Sequence, residues 1–183
     1  TNNKNIKKPT TEELDHDFLW RVHKEVPAKG QIAIFNRSHY EDIIAVRVKK
    51  IFPDPVWKRR YKHVLAFESM LAEEGTVIIK LFLNISKEEQ KKRLESRLQD
   101  PDKLWKFCMD DLDDRNRWDE FQTAYQDLIE KTSTPEAPWY IIPADRKWYR
   151  NLVVARLMVE KLRHLQLSLP TPNFDPASII IPD

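Results

Sequence analysis

An apolar, strand-like run that ends in a cluster of polar side chains is the part of this sequence best suited to chemistry. Residues 30–42 read GQIAIFNRSHYED, and the polar set comprises Asn36, Arg37, His39, Glu41 and Asp42. The apolar half is typical of a buried parallel strand, and ligands of open α/β sheets bind at the carboxyl ends of such strands. An amide, a guanidinium, an imidazole and two carboxyl groups there suit an anionic, metal-bearing substrate. The alternative is an ordinary capped helix start with solvated charges.

Basic residues that could hold phosphate oxygens gather in the second half of the chain. Arg93 and Arg97 are four residues apart and therefore share one face of a predicted helix, and Lys103 and Lys106 follow an Asp-Pro break. Arginine binds phosphate oxygens in a bidentate manner, and lysine supplies a point charge. The alternative is a solvated helix face in which these cations pair with glutamates. An earlier basic group comprises Lys49, Lys50, Lys58, Arg59, Arg60 and Lys62.

The acidic segment DDLDDRNR at residues 110–117 is a candidate magnesium or phosphate site. Acids in the first turn of a helix more often complement the helix dipole, so both interpretations stay open for this segment, including Arg115. The aromatic residues Trp118, Phe121 and Tyr125 recur at helical spacing and indicate a stripe that faces the core. Neither a histidine pair with HExxH spacing nor a G-x-S-x-G elbow occurs.

Composition excludes several classes of protein. The 31 basic and 29 acidic residues leave a net charge of +2, which favours neither a nucleic-acid nor a membrane partner. No apolar run approaches the roughly 20 residues that span a bilayer. Gly30 and Gly75 are the two glycines and are too far apart for a Gly-rich phosphate loop. The single cysteine, Cys108, excludes an internal disulfide, favours a reducing cytoplasm and is expected to be a small buried hydrophobic residue.

The apolar periodicity predicts alternating strands and helices. Strands are expected at 31–35, 76–83 and 139–142, with a possible fourth near 5–8, and helices at about 11–25, 38–48, 54–75, 86–98, 110–131 and 147–162. The cap signals are Thr10 with Glu13, Ser38, Asp54 before a proline, Ser86 with Glu89, and Gly75 as the left-handed residue that ends a helix. The first helix is expected to bury Leu14, Phe18 and Val22, and the last Trp148, Leu152, Ala155, Val159 and Leu162.

This alternation implies an α/β fold in which a parallel sheet is flanked by helices. We expect one domain over residues 1–169 and an extended tail over 170–183. Three confident strands are few for such a sheet, in which about five are usual. We therefore infer that a strand and its helix are missing on the amino-terminal side.

Several blocks of sequence, taken together, resemble the type-2 polyphosphate kinase family of P-loop kinases, which is related in fold to thymidylate kinase. The blocks are EELDHDFLWR at 12–21, FNRSHYED at 35–42, KRL at 92–94 with Arg97, DPDKLWKF at 100–107, DDR at 113–115 before WD at 118–119, and PWYIIPADRKWYRN at 138–151. Their order along nearly the whole chain makes the resemblance specific. It implies a three-layer α/β/α kinase-like domain with a lid at about 87–110.

The resemblance also implies an activity and its site. The activity is Mg²⁺-dependent, reversible phosphoryl transfer between inorganic polyphosphate and AMP, ADP or ATP in a cytoplasmic homo-oligomer. Asn36 and Arg37 match the Walker B-like position, and Glu41 or Asp42 would supply the carboxylate for the metal. The lid residues would be Arg93, Arg97, Lys103 and Lys106, the helix beside the nucleotide would carry Asp15, Asp17 and Arg21, and Arg115 would contact nucleotide or polyphosphate.

One departure from the family pattern is serious. The family's Gly-rich phosphate loop precedes the region that matches Ile6, and no such loop occurs in these residues. We therefore expect a carboxyl-terminal piece or truncated copy of the kinase that is inactive alone. Two other functions stay open: an ATP-dependent nucleoside monophosphate kinase, and a non-catalytic oligomerisation or regulatory remnant.

Overall fold

Two pairs of parallel strands form the frame of the fold. The computed structural model describes residues 2–6, 9–165, 167–168, 172–175 and 178–179. Strand β1 (Asn2–Asn5) pairs with β2 (Ala33–Asn36), and β3 (Lys80–Asn84) pairs with β4 (Trp139–Pro143). Both pairs are parallel, with Asn5 opposite Asn36 and Asn84 opposite Pro143. The carboxyl ends within each pair therefore lie side by side.

Helices flank these strands, which confirms the expected α/β class. In chain order they are α1 (Thr11–Leu14), α2 (Trp20–His23), α3 (Glu41–Val48), α4 (Asp54–Glu73), α5 (Lys87–Gln99), α6 (Asp110–Asn116), α7 (Trp118–Thr132) and α8 (Lys147–His164), with a 3₁₀ helix at Pro101–Lys106 after α5. Within the described ranges, none of them is both long and apolar enough to cross a membrane.

The core lies where α3, α4 and α7 meet. Ile43, Val64 and Leu128 are each at most 1% exposed to solvent and belong to one apolar cluster. Helical spacing correctly predicts the inward faces of these helices, because apolar side chains three and four residues apart share one side of a helix. The cluster supports the start of α3, which directly follows the polar residues at the end of β2.

The predicted single helix over residues 11–25 is wrong in its middle. Thr10 and Glu13 do form the expected capping box, but α1 ends at Leu14, which is exposed. The Asp17 side chain accepts a hydrogen bond from the backbone N–H of Leu19 at 2.9 Å. Such a local bond offers the backbone an alternative to the helix, so the helix restarts as α2 and buries Val22.

The caps of the later helices are partly as predicted. Gly75 ends α4 with a φ of +88°, and the N–H groups of Gly75 and Thr76 bond back to Ala72 and Leu71, which is the Schellman pattern. Ser86 caps α5 through its hydroxyl. Three details of the predicted caps are wrong. Glu89 does not complete a capping box, because the Ser86 N–H donates to Asp145. The N-cap of α4 is Pro53 rather than Asp54, and the N-cap of α3 is Tyr40 rather than Ser38.

The residues at which the strands begin are set by the length of the neighbouring strand and not by the apolar runs in the sequence. Strand β3 begins at Lys80 and not at residue 76, because its partner β4 begins at Trp139 and because the Thr76 N–H is used in the turn after α4. Strand β2 likewise begins at Ala33, opposite Asn2. A strand is found near the predicted fourth one but is displaced toward the amino terminus: β1 covers Asn2–Asn5 and shares only Asn5 with the range 5–8. Lys7 and Lys8 lie outside the described residues. Of the expected tail, only 172–175 and 178–179 belong to the described part.

Two predictions about the last helices are wrong. The helix expected over 110–131 is broken at Arg117, whose guanidinium donates to the Val48 carbonyl oxygen at 2.8 Å, so α6 and α7 are separate. Helix α8 buries none of its side chains in the described part of the chain; Trp148 is 63% exposed and Val159 46%. The predicted inward face of α8 is also wrong, because Leu152 and Ala155 are exposed as well. The half-buried side chains lie on another face of the helix and include Val153, Val154, Leu157 and Met158.

Candidate functional site

The end of β2 presents an arginine in an unusual backbone conformation. Strand β2 ends at Asn36, and Arg37 follows with a φ of +66°, a region that residues other than glycine rarely adopt. Holding an arginine there costs about 1–3 kcal/mol, and such strain persists only when the surrounding structure imposes it. The Arg37 side chain is 59% exposed, with Nε 3.9 Å from Glu41 Oε1. The guanidinium is thus available to a ligand at the strand end.

Glu41, in the first turn of α3, lies in a group of carboxylates. Burial raises the pKa of Glu41, the charge of Arg37 opposes the rise, and the carboxylates of Asp42 and Asp114 add to it. Burial likewise raises the pKa of Tyr125 to about 12, with Glu41 contributing next. These mutual effects show that residues from α3, α6 and α7 meet beside the end of β2.

A cavity of about 370 Å³ lies beside this group. Asp114 and Tyr125 line it, which connects it to Glu41 and Arg37, and Asn84 places it at the carboxyl end of β3. The volume falls within the range of small-molecule sites. The other polar or aromatic side chains of its lining are Gln90, Arg93, Arg97, Asp111, Trp118, Phe121, Phe82 and Gln122.

The two arginines predicted on α5 have different partners. Arg93 is held by its own helix and by the end of β4, whereas Arg97 pairs with an acid in the cavity. Arg93 Nε bonds Glu89 at 2.8 Å, and its Nη2 donates to the carbonyl oxygen of Ala144 at 2.7 Å. These contacts fasten α5 to the end of β4. Arg97 Nη1 lies 3.1 Å from Asp111 Oδ2, and both side chains are more than a third exposed. An anion in the cavity would compete with Asp111 for Arg97.

The predicted lid lysines and Arg115 do not line the cavity. Lys103 forms an ion pair with Asp100, and the ammonium group of Lys106 lies 4.9 Å from the ring centroid of Trp105. Arg115 donates to the Lys87 carbonyl oxygen at 2.7 Å and to Gln90 at 2.9 Å. Arg115 therefore joins α6 to α5, the helix that carries Arg97.

The residues predicted beside the nucleotide are dispersed. Arg21 is buried and its Nη2 donates to Asp42 Oδ2 at 2.8 Å, with Glu13 also nearby at 3.8 Å. This pair ties α2 to α3. Asp17 caps the turn at Leu19, and Asp15 is the exposed C-cap of α1.

The metal prediction concerned Glu41 and Asp42. Among the described residues, no group of three or more His, Cys, Asp or Glu side chains is arranged to hold a metal ion. Asp42 is engaged by Arg21, whereas Glu41 lies near Asp114. Mg²⁺ commonly uses one or two protein carboxylates and takes its other ligands from phosphates and water. Glu41 fits that incomplete kind of site, whereas the neighbouring Asp114 is itself paired with Lys49, with Nζ 2.7 Å from Oδ1.

Sequence reasoning missed the role of Asp114 and Tyr125 in the cavity. Asp114 belongs to the acidic segment that was left open between a ligand site and a dipole effect, and Tyr125 belongs to the predicted core stripe. Tyr125 and Phe121 pack against the core, as expected, but they and Trp118 also line the cavity. The prediction for Cys108 is wrong, since this residue is exposed. It lies between the 3₁₀ helix and α6 rather than in a packed element.

The chain matches the model of one family, Polyphosphate kinase 2 (PPK2), over residues 2–169. It belongs to this family. It is 54% identical over 173 residues to an "AMP/ADP-polyphosphate phosphotransferase" of Meiothermus ruber, covering 94% of this chain and 65% of that protein. It is 38% identical over 177 residues to an "ADP-polyphosphate phosphotransferase" of Rhodopseudomonas palustris, covering 90% of this chain and 61% of that protein.

A solved structure of a PPK2 protein has the same fold. The crystal structure of Polyphosphate Kinase 2 from Arthrobacter aurescens TC1 superimposes with a TM-score of 0.92 at 48% identity. The match covers 96% of this chain and 62% of that one. The chain thus spans a little under two thirds of the length of these PPK2 relatives.

Proposed function

We propose that this PPK2 chain forms a phosphate-binding part of a polyphosphate:nucleotide phosphotransferase with AMP and ADP as acceptors. One observation supports this proposal above the others. Glu41 lies beside Arg37 at the end of β2 and close to Asp114, and Asp114 lines the same cavity as Arg97. Polyphosphate and these acceptors are the substrates in the printed names of the relatives. The names do not favour the ATP-dependent monophosphate kinase alternative.

The proposed chemistry is direct in-line transfer without a covalent phosphoenzyme. Phosphoryl transfer needs chiefly positioning and neutralisation of charge. Arg37 would orient a phosphate at the strand end, and Arg97 would exchange Asp111 for a phosphate oxygen as α5 closes. The segment 87–110, with Lys103 and Lys106 on its exposed side, would act as the lid.

Mg²⁺ is proposed as the cofactor, with Glu41 as its protein ligand and Asp114 close by. When bound, the ion would neutralise charge on the phosphates. Asp42 is a weaker candidate, because its carboxylate already accepts from Arg21. The raised pKa of Glu41 follows first from burial, and a cation beside this carboxylate would favour its ionised form.

The Gly-rich phosphate loop expected for transfer is not formed by either glycine. Gly30 and Gly75 have φ values of +78° and +88° in separate turns. Backbone amides of such a loop surround phosphates in P-loop proteins. We therefore propose that the 183-residue chain binds polyphosphate but does not complete transfer by itself. Homo-oligomerisation, a cytoplasmic location and ATP as a product stay predictions.

The test is equilibrium binding of inorganic polyphosphate to the 183-residue chain. A charge-assisted contact is worth about 1.5–3 kcal/mol, so Arg37→Ala and Arg97→Ala should each raise Kd roughly 10-fold or more. Arg156→Ala removes an exposed arginine on α8 and serves as the charge-matched control. Equal losses in all three variants would reduce the binding to non-specific attraction and contradict the site.

A transfer assay separates the functional alternatives. We expect no ATP from polyphosphate and ADP with the chain alone. Robust turnover with polyphosphate would refute the inactivity of the chain, and turnover with ATP and AMP but not with polyphosphate would favour the monophosphate kinase. Assembly without polyphosphate binding would favour the non-catalytic remnant.

A further inference from the structure

A buried polar network lies next to the residues that follow Arg37. Lys80 Nζ, on β3, donates to Glu68 Oε2 at 2.6 Å, to the Tyr40 hydroxyl at 3.0 Å and to the Thr132 carbonyl oxygen at 2.7 Å. The Tyr40 hydroxyl donates to Glu68 Oε1 at 2.6 Å. The side chains of Glu68 and Lys80 are only 4% and 5% exposed. One carboxylate and one ammonium group thus join α4, β3, α7 and the start of α3.

The same carboxylate also holds the residue before Tyr40. His39 Nε2 lies 3.3 Å from Glu68 Oε1, and the His39 ring packs edge-on against Phe67 at a centroid distance of 6.0 Å. The Tyr40 ring packs against Trp139 at 4.9 Å. Two consecutive side chains, separated from Arg37 only by Ser38, are therefore fixed to the core.

Burial shifts the pKa of both charged groups in the network: it lowers the pKa of Lys80, and the hydrogen bond and charge of Glu68 oppose that fall. Burial alone would raise the pKa of Glu68, but hydrogen bonds from His39, Lys80 and Tyr40 and the charge of Lys80 outweigh it, so the pKa lies below its ordinary value. A buried ion pair is often no more stabilising than well-packed apolar residues of similar volume. Stability alone is thus a poor explanation for an ionised pair at this place.

The backbone at Arg37 indicates what the network does. A non-glycine residue at a φ of +66° persists only where its surroundings impose that conformation. On one side the Asn36 backbone is held in register with Asn5, and on the other His39 and Tyr40 are held by Glu68. Helix α3 begins without a side-chain cap. Backbone bonds from the N–H groups of Glu41 and Asp42 to Ser38 and His39 close the turn locally, and the side-chain bonds to Glu68 fasten that turn to the core.

We propose that Glu68 and Lys80 are positioning residues that act through His39 and Tyr40 to hold Arg37 in its left-handed conformation toward the substrate phosphate. The inference rests on the proposed function, in which Arg37 binds phosphate. Neither Glu68 nor Lys80 lines the cavity, so neither is assigned a contact with substrate. Their effect on polyphosphate binding is expected to pass entirely through Arg37.

The test is a double-mutant cycle on the 183-residue chain with inorganic polyphosphate as the probe. Tyr40→Phe removes one hydroxyl and should raise Kd about three- to tenfold, because a displaced Arg37 guanidinium loses part of its binding energy with the phosphate. In the Arg37→Ala background the same change should have no further effect. Tyr61→Phe, a buried tyrosine of α4 in the same core, is the matched control and should leave Kd unchanged in both backgrounds.

The salt dependence of Kd supplies a readout that a general loss of stability would not move. Release of counterions from a polyanion makes log Kd depend linearly on log salt concentration, and loss of one cationic contact lowers the slope by about one. Tyr40→Phe should lower the slope in the same direction as Arg37→Ala, although it removes no charge. Glu68→Gln should do likewise if it folds, and His39→Ala is the substitute if it does not.

The outcomes are distinguishable. An Arg37→Ala variant that binds as tightly as the parent would overturn the proposed role of Arg37 and this inference with it. A weakened Arg37→Ala variant combined with an additive or silent Tyr40→Phe would leave the proposed function standing and overturn the positioning role alone. Equal losses in Tyr61→Phe and Tyr40→Phe would reduce the network to a structural one.

Discussion

Replacing Asp111 by asparagine should tighten the binding of polyphosphate. The Asp111 carboxylate lies 3.1 Å from Arg97 in the cavity, where it occupies the position that the proposal assigns to a phosphate oxygen. The substitution keeps the shape of the side chain and removes its charge. A ligand would then no longer have to displace a carboxylate from the guanidinium.

The size of the effect follows from the exposure of the pair. Side chains that are 37% and 39% exposed form an ion pair in a largely solvated environment, and such pairs are worth about 0.2–1 kcal/mol. Removing this competitor should lower Kd by a factor of about 1.5 to 5. The melting temperature should change little, because the same small energy is lost from the folded state.

The assay is a titration with polyphosphate at low salt, with Asp110→Asn as the control. Asp110 is exposed, lies on the same helix and carries the same charge. Equal tightening in both variants would show that only the net charge matters. A weaker Asp111→Asn complex would show that Asp111 orients Arg97 for the ligand rather than competing with it, which would refute the reasoning.

Three further predictions concern the fold. The pKa of Glu68 is lower in the folded protein than the unfolded value of about 4.3. Its contribution to the free energy of unfolding is therefore fully present above that value and is lost as the pH falls through the folded pKa. Melting temperatures measured across this range should fall on acidification, and an equally steep fall in Glu68→Gln would contradict the assignment. Leu128→Ala should lower the free energy of unfolding by about 2–5 kcal/mol, because Leu128 is 1% exposed in the central cluster; urea denaturation measures the loss, and a cost below 1 kcal/mol would place the residue outside the core. Gly75→Ala should cost about 1–2 kcal/mol because the residue sits at a φ of +88°, and a neutral result in the same experiment would show that the turn can relax.

Local signals predicted the helices and much of the core well. The Thr10 capping box, the Ser86 cap and the Gly75 terminus depend on neighbours within six residues, and the structure confirms all three. The inward faces of α3, α4 and α7 also agree, since helical spacing alone decides which residues share a side. The break after Leu14 was missed because the Asp17 side chain competes with the helix for a backbone N–H.

The candidate site was only partly accessible from the sequence. The sequence placed Asn36, Arg37 and Glu41 at a strand end because they directly follow an apolar run, and the structure has β2 end at Asn36 and α3 begin at Glu41. Their roles in the site stay predictions. Both arginines of α5 line the cavity, but the partner that holds each guanidinium depends on the tertiary structure. For Arg93 that partner is the Ala144 carbonyl oxygen, some 50 residues away in the chain. The same holds for Asp114, whose proximity to Glu41 no spacing could indicate.

The α/β class and the position of the polar strand end can be inferred from residue order, because hydrophobic periodicity and capping are local properties of a chain. The PPK2 family was indicated separately, by the resemblance of several sequence blocks. The partners of charged side chains are decided by packing. Glu68 and Lys80 stand on an ordinary helix and at the start of a strand, and only the folded chain brings them together with His39 and Tyr40. A buried charge needs a partner to offset its lost hydration, and that partner comes from whichever element the tertiary structure places nearby.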